Sequence, residues 1–323
     1  MPGLALIFPG QGSQYVGMGK DLYEASPAAR AVFDEAVRAG HGSLLRLMFE
    51  GPAAQLTETV HAQPALYVAS LACHAALYEA LGDGSAAARP AYLAGHSLGE
   101  YTALAVAGAF SLSAGLQLVY ERGQAMREAG EAAPGMMAAV LGLPTEIVAS
   151  ICEEAAATTG EVAVVANDNA PGQIVVAGSR AGVQAASDLA RARGARRVVP
   201  LAVSIAAHSP LMELARARFL PALRRTAIGS PHTPVIGNTQ AQPLASADDV
   251  IAELQAQLIS PVRWTATIQR MIELGVSTFV EVGPKDVLTG LGKRIAPAAT
   301  FVPCGTLTEV AQVVALLRQQ APS

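Results

Sequence analysis

Ser97 stands in Gly95-His96-Ser97-Leu98-Gly99, a G-x-S-x-G sequence. The apolar run AYLAG (91–95) leads into it and EYTALAVAGAF (100–110) follows, so the serine falls between a strand-like and a helix-like segment. That is the setting of a nucleophile elbow, in which a sharp turn exposes a serine hydroxyl and flanking glycines let strand and helix approach closely. The backbone N–H of Leu98, at the start of the helix, would then face an oxyanion formed when Ser97 attacks a carbonyl. Without its flanks the five-residue pattern reads equally well as a Gly/Ser turn.

A serine hydroxyl needs a base, and the chain has six histidines. His41, His61 and His74 lie in helical or loop stretches with no other signal, and His232 sits in a proline-flanked turn. His96 adjoins Ser97, so its side chain is expected to point away from the serine and either shape the cleft or bond a substrate carbonyl. His208, in Ser204-Ile205-Ala206-Ala207-His208-Ser209-Pro210-Leu211-Met212, follows a strand-like run and precedes a helix-like one, which puts it at the mouth of the sheet. A lone histidine there is more often structural than catalytic, so position alone leaves its role open.

The elements that must position these groups alternate between short β-rich runs and Ala/Leu/Arg-rich helical segments, the pattern of an α/β protein with a mainly parallel sheet. LALIF (4–8), AYLAG (91–95), PVIGN (234–238) and TFVEVG (278–283) read as strands of that sheet. The loops after the first two open at carboxyl ends of strands, where ligands bind in such sheets. GMMAAVLGL (135–143), PTEIVASICEEAAAT (144–158), EVAVVAN (161–167), QIVVAGS (173–179), RAGVQAASDLARARG (180–194) and ARRVVPLAV (195–203) run β, α, β, β, α, β. This order predicts a ferredoxin-like domain at 132–203, inserted into an α/β-hydrolase-like catalytic domain made of 1–131 and 204–323. The closing residues QQAPS (319–323) read as a frayed tail.

A chain of 323 residues, 51% hydrophobic and 15% charged, buries a sizeable core; globular chains average about 25% charged and disordered ones carry more. A formal charge of −4 supplies no broad positive field, which argues against wrapping nucleic acid or coating an anionic membrane. Cys73, Cys152 and Cys304 are scattered, without metal-ligand spacing or a disulfide framework, and fit a reducing cytoplasm. MPGLALIFPGQG has no basic residue before its apolar run and is read as a first strand rather than a signal peptide. The uncharged stretch from Tyr101 to Tyr120, apart from its length, is unlike a membrane span: Gly108, Ser111, Ser113, Gly115 and Gln117 interrupt it, and two helices with a turn at Phe110-Ser111 are expected.

One combination narrows the reading. Phe8-Pro9-Gly10-Gln11-Gly12-Ser13-Gln14, GHSLGE (95–100) and AAHSPLM (206–212) occur in this order. Tyr120-Glu121-Arg122-Gly123-Gln124-Ala125-Met126, NDNAPGQIVVAG (167–178), Gly237-Asn238-Thr239, QLISPVRW (257–264) and Glu281-Val282-Gly283-Pro284 extend the pattern over nearly the whole chain. Together they resemble the malonyl-CoA:acyl-carrier-protein transacylases of bacterial fatty-acid synthesis.

The resemblance implies a Ser–His pair without a carboxylate third member: Ser97 as the acyl acceptor, His208 as the general base and a backbone carbonyl near Gln257 as its orienter. It implies an oxyanion hole from the backbone N–H groups of Gln11 and Leu98, and a cleft between the domains lined by His96, Asn167 and Gln173. Asn167 and Asn169 read equally well as turn residues bonding their own backbone. Arg122 matches the arginine that grips the free carboxylate of the malonyl group, which a planar, always-charged guanidinium can take in a bidentate fork. Taken alone, Arg122 would be a solvated helix arginine paired with Glu121 or Glu128. Many family members carry phenylalanine just before the base, where this chain has Ala207, leaving more room beside the acyl group; some malonyl-specific relatives are also small there.

The expected partners are malonyl-CoA and a holo acyl carrier protein, with no metal or bound cofactor and a monomer as the default. Carriers of this kind are acidic, and two basic groups could meet one: Arg191, Arg193, Arg196 and Arg197, or Lys285, Lys293 and Arg294; each also reads as a solvated face. The same motifs would serve a stand-alone acyltransferase of a polyketide synthase or a malonate-decarboxylating system. A serine thioesterase and an inactive carrier-binding subunit are the competing readings of other kinds.

Overall fold

Leu4, Leu6 and Phe8 of the first strand enter one apolar cluster while Ala5 and Ile7 enter another, so the strand is buried on both faces. Such strands belong to sheets covered by helices on each side, and their two-residue alternation separates the two cores. In a computed structural model describing residues 3–82 and 88–320, ten strands follow in chain order. They are β1 (Gly3–Phe8), β2 (Tyr92–Gly95), β3 (Met136–Leu141), β4 (Ala163–Ala170), β5 (Gln173–Gly178), β6 (Arg197–Pro200), β7 (Val235–Ile236), β8 (Pro243–Leu244), β9 (Val276–Val282) and β10 (Thr300–Cys304). Residues 321–323 of the expected tail lie outside the described part.

Six strands form one sheet in the order β10-β9-β1-β2-β7-β8, parallel throughout except for the β7–β8 pair. The helices Thr59–Leu81, Gly99–Val106 and Leu112–Ala132 pack into the core on one face, and Trp264–Glu273 and Val287–Ile295 into the core on the other. Loops leaving β1, β2, β7 and β9 therefore emerge side by side at one end of the sheet. The last two helices of the Tyr101–Tyr120 region are separated as expected: Ser111 caps the second by accepting from the Ala114 N–H at 3.2 Å. No helix among the described residues is long and apolar enough to cross a membrane.

The other four strands form an antiparallel sheet in the order β4-β5-β3-β6, covered by the helices Thr145–Thr159 and Arg180–Ala192. Ala138 and Val140 of β3 meet Ile151, Ala155, Val183 and Ala186 on that face, whereas Met137 faces the larger core.

Two strands differ in length from the sequence reading. PVIGN is a strand only at Val235–Ile236, because the Asn238 N–H leaves the ladder to donate to the Glu100 carboxyl at 2.9 Å. β4 runs past Asn167 to Ala170 with two register shifts, held by the Val262 N–H donating to Ala166 O and the Asp168 N–H donating to Val262 O, each at 2.9 Å. That short parallel bridge ties the smaller sheet to the chain segment ahead of Trp264.

Candidate active site

The turn after β2 is built by its glycines. A Cβ on Gly95 would lie 1.9 Å from the Gly99 carbonyl carbon, and one on Gly99 would lie 2.0 Å from the Phe8 carbonyl oxygen. Only glycine lets the helix start press against the ends of β1 and β2. Between them Ser97 is held at φ 51°, a left-handed conformation unusual for serine, which turns its hydroxyl out of the helix. The Ser97 N–H donates to Asn238 Oδ1 at 2.7 Å, so the turn is pinned from the loop after β7.

Ser97 Oγ lies 2.8 Å from His208 Nε2, and His208 Nδ1 lies 2.9 Å from the Gln257 carbonyl oxygen. A carbonyl only accepts, so Nδ1 carries the proton and the Nε2 lone pair faces the serine hydroxyl. His208 is itself at φ 61°, and its N–H donates to Leu258 O at 3.1 Å, so residues 257 and 258 hold both backbone and ring. Burial, followed by the charge of Arg122, pushes the imidazole down to about 3. The ring is therefore neutral, the form a base requires.

Arg122, on the helix Leu112–Ala132, has 0% exposure. Nη1 donates to Gln63 Oε1 at 2.7 Å; Nη2 donates to Ser97 Oγ at 3.1 Å and to Gln257 Oε1 at 3.0 Å. Its Cζ lies 5.4 Å from the Tyr101 ring centroid, within cation–π range. The helix neighbours are engaged elsewhere, Glu121 with Gln117 and Glu128 with Arg218. Burial lowers the guanidinium's pKa, opposed by Tyr101 and Glu100, but an arginine remains charged at any working pH. A buried cation beside a nucleophile, with neutral groups as its direct acceptors, is a site for an anionic acyl group.

His96 points away from the serine: its Nε2 lies 2.7 Å from Asn169 Oδ1, and its ring meets Trp264 edge-on at 5.5 Å. Burial lowers its pKa, leaving it neutral in this cleft wall. Asn167 and Asn169 are thus strand residues of β4 rather than turn residues, and Asn169 is the one that reaches His96. Gln173 is not brought to this cluster. It begins β5 just after the Pro171–Gly172 turn, and its Oε1 accepts from Arg294 at 2.5 Å on the surface.

Gln11 follows β1 in a loop packed on the elbow, since a Cβ on Gly10 would lie 2.5 Å from the His96 carbonyl oxygen. Lys285 Nζ donates to Gly12 O at 2.9 Å and steadies the same loop. A relay of side chains leads inward from it: Thr59 Oγ1 donates to Gln11 Oε1 at 3.3 Å, Gln63 Nε2 to Thr59 Oγ1 at 2.8 Å, and Arg122 to Gln63. Outside lies a cavity of about 430 Å³ lined by Gln11, Thr59, Val60, Arg127, Val203 and Ile205 among others. Of the basic residues, Arg191 pairs with Asp188 and Arg193 with Glu154, while Arg294 is bonded to Gln173 and to Pro171 O.

Three site residues escaped the sequence reading as individuals. Gln63 is the lone amide in the largely apolar helix Thr59–Leu81, a signal available in the sequence. Glu100 and Asn238 belong to GHSLGE and Gly237-Asn238-Thr239, but nothing in those strings says that the two side chains meet.

The model of the acyl transferase domain family matches residues 5–317. The malonyl CoA-acyl carrier protein transacylase of Bacillus subtilis (strain 168) is 43% identical over 295 residues, covering 91% of each chain, and that of Escherichia coli (strain K12) is 40% identical over 93% of this chain and 95% of that protein. Among solved structures, the transacylase of Coxiella burnetii superposes with a TM-score of 0.92 at 37% identity, over 98% of both chains. A malonyl-transacylase solved in complex with its type II PKS acyl-carrier protein gives 0.91 at 37% identity, over 97% of this chain and 99% of that one. With a matched family model over almost its whole length and relatives of this identity, the chain belongs to the acyl transferase family, among the malonyl CoA-acyl carrier protein transacylases.

Proposed function

We propose that this protein moves a malonyl group from malonyl-CoA to the phosphopantetheine thiol of an acyl carrier protein for fatty-acid synthesis, through an ester on Ser97. The observation that carries the reading is the buried Arg122 fork, 3.1 Å from the same serine oxygen that lies 2.8 Å from His208. An esterase needs only the serine and its base; a cation at the acyl end serves a substrate with a second carboxylate.

In the first half-reaction His208 Nε2 takes the Ser97 proton as Oγ attacks the thioester carbon. The tetrahedral oxyanion is met by the N–H of Leu98, in the first turn of its helix, and by that of Gln11; the Ser97 N–H is already bound to Asn238. The C–S bond breaks, the sulfur leaves as CoA thiol with the proton from His208, and a malonyl-serine ester remains. The carrier's thiol then gives its proton to His208, attacks the ester carbonyl and takes the malonyl group, and Ser97 recovers its proton. No metal or bound cofactor enters these steps. The thioester arm of either substrate is assigned to the cavity beside Gln11.

Two finer architectural readings are part of the proposal. The β4-β5-β3-β6 sheet with its two helices, in βαββαβ order, is taken as a ferredoxin-like domain at 132–203. The remainder, 1–131 and 204–323, is taken as an α/β-hydrolase-like catalytic domain. A cytoplasmic protein without nucleic-acid or membrane partners is supported by the net charge of −4 and three buried free cysteines, and a monomer is kept as the default of the resemblance. The likeness to a transacylase solved with a polyketide carrier keeps polyketide supply as the second reading.

Intact-protein mass measurement after brief exposure to malonyl-, acetyl- and methylmalonyl-CoA tests the chemistry, with holo carriers of the fatty-acid and polyketide types then added. A malonyl adduct is expected, absent in Ser97→Ala and discharged onto the carrier. An acyl group passed only to water would identify a thioesterase instead.

A further inference from the structure

Glu100 has 0% exposure and lies three residues beyond Ser97, in the first turn of the helix Gly99–Val106. Its Oε1 accepts from the Asn238 N–H at 2.9 Å and from Asn238 Nδ2 at 3.2 Å, and its Oε2 accepts from Gln257 Nε2. Each partner continues into the reacting groups. Asn238 holds the Ser97 N–H. Gln257 takes Arg122 Nη2 on its amide oxygen, donates to Ser97 O at 2.9 Å, and orients His208 with its backbone carbonyl.

Behind Glu100 stands Glu253, 5% exposed, which accepts from the Thr239 N–H at 2.8 Å and Thr239 Oγ1 at 2.5 Å and lies close enough to Glu100 for the two carboxyls to perturb each other. Two such carboxyls inside a protein cannot both ionise and share one proton. Burial and the neighbouring Glu253 raise the Glu100 pKa well above the usual carboxylate range. Burial raises the Glu253 carboxyl as well, so the pair holds a proton between them while the Glu100 oxygens still accept from Asn238 and Gln257.

We infer that Glu100 is the positioning residue of the acyl-transfer site: one buried carboxyl sets the Ser97 turn through Asn238 and sets Arg122 through the Gln257 amide. The inference rests on the malonyl-transfer reading of the same site. Glutamine is no substitute at this position. Its NH2 would face the Gln257 NH2, donor against donor, and flipping the Gln257 amide to relieve this would turn an N–H toward the guanidinium. The geometry at Ser97 would survive better than the placement of Arg122, so the defect should be larger for an acyl group carrying a carboxylate.

The test is the single-turnover rate of Ser97 acylation by malonyl-CoA and by acetyl-CoA, in wild type, Glu100→Gln, Gln257→Leu and the double variant, with thermal melting to show that each is folded. Each single variant is expected to acylate about 10- to 100-fold more slowly with malonyl-CoA, the range for a mispaired buried polar group. The loss with acetyl-CoA should be smaller, and the double variant no slower than the slower single one. A folded Glu100→Gln with the wild-type rate, an equal loss with both thioesters, or losses that multiply in the double variant would each overturn the inference. If Glu100→Gln does not fold, Gln257→Leu decides alone, and an unchanged malonyl-to-acetyl ratio overturns it. A wild-type protein that forms no malonyl ester on Ser97 fails the transfer reading itself, and shows this before any variant is compared.

Discussion

Acidification separates His208 from an ordinary histidine base. An imidazole titrating near 6.5 is about 97% protonated at pH 5, so acylation through it would slow about 30-fold between pH 7.5 and pH 5. His208 is pushed down to about 3 by burial and by the Arg122 charge, and at pH 5 about 99% of it remains neutral, a loss of about 1%. The quantity to measure is kcat/KM for Ser97 acylation by malonyl-CoA from pH 8 to pH 5, because it reports groups of the unliganded enzyme, and the substrate carboxylate stays ionised over that range. A flat profile is expected. Repeating it with acetyl-CoA on Arg122→Gln removes the second cause, and the acid limb should move upward yet stay below 6.5, since burial is the larger cause. An apparent pKa between 6 and 7 in the wild-type profile, seen also with a malonyl-pantetheine thioester that lacks the titrating 3′-phosphate of CoA, would refute the account of how the base is held.

Bound malonyl offsets the Arg122 charge, so the pKa seen in kcat should lie above that in kcat/KM for malonyl-CoA; coincident values in a wider pH scan would count against this coupling. Arg122→Lys keeps the charge but cannot reach Gln63, Ser97 and Gln257 at once, and should slow malonyl acylation on the order of 100-fold with much less effect on acetyl-CoA; equal effects would show that the fork does not select. Gly95→Ala drives a Cβ to 1.9 Å from the Gly99 carbonyl carbon and should destabilise the protein by roughly 3 kcal/mol or more, a Tm drop of about 6 °C or more, so an unchanged Tm would contradict the packing at the elbow. His208 is 4% exposed and its folded pKa lies below the unfolded value. Its contribution to stability is therefore complete above pH 6.5 and lost as pH falls toward about 3, by about 2 kcal/mol at pH 5. Urea melts should show the wild-type stability relative to His208→Gln shrinking by that amount between pH 7.5 and pH 5; a constant difference would exclude a depressed pKa.

Strands buried on both faces were legible because their apolar runs are unbroken: β1, β2 and β9 fall within a few residues of LALIF, AYLAG and TFVEVG. β10 was not anticipated, since FVPC is short and carries Pro303, tolerated there because β10 is the sheet edge. The polar NDN of β4 reads locally as a turn, and only the distant Val262 bridge makes it a strand. The same division holds in the site. Ser97 and its elbow are a local pattern, whereas the partners that hold Arg122 and the elbow come from 59, 138 and 157 residues away in Gln63–Arg122, Glu100–Asn238 and Glu100–Gln257. No spacing in the chain announces such contacts, because the sheet order creates them.

The placement of charge explains why Arg122 and the dyad belong to one device. A fully buried guanidinium is costly unless its charge is compensated, yet its direct acceptors here are two amides and a hydroxyl. The carboxyl that could neutralise it, Glu100, shares a proton with Glu253 and presents its oxygens to Asn238 and Gln257 instead. The cation is thus reserved for the substrate. Until that substrate arrives its field adds to burial in holding His208 neutral and weakly basic; a malonyl carboxylate would cancel the field and strengthen the base beside the bond that must form. An acetyl thioester brings no carboxylate and leaves the base weak. On the proposed reading, discrimination would then be expressed in the rate of ester formation as well as in binding.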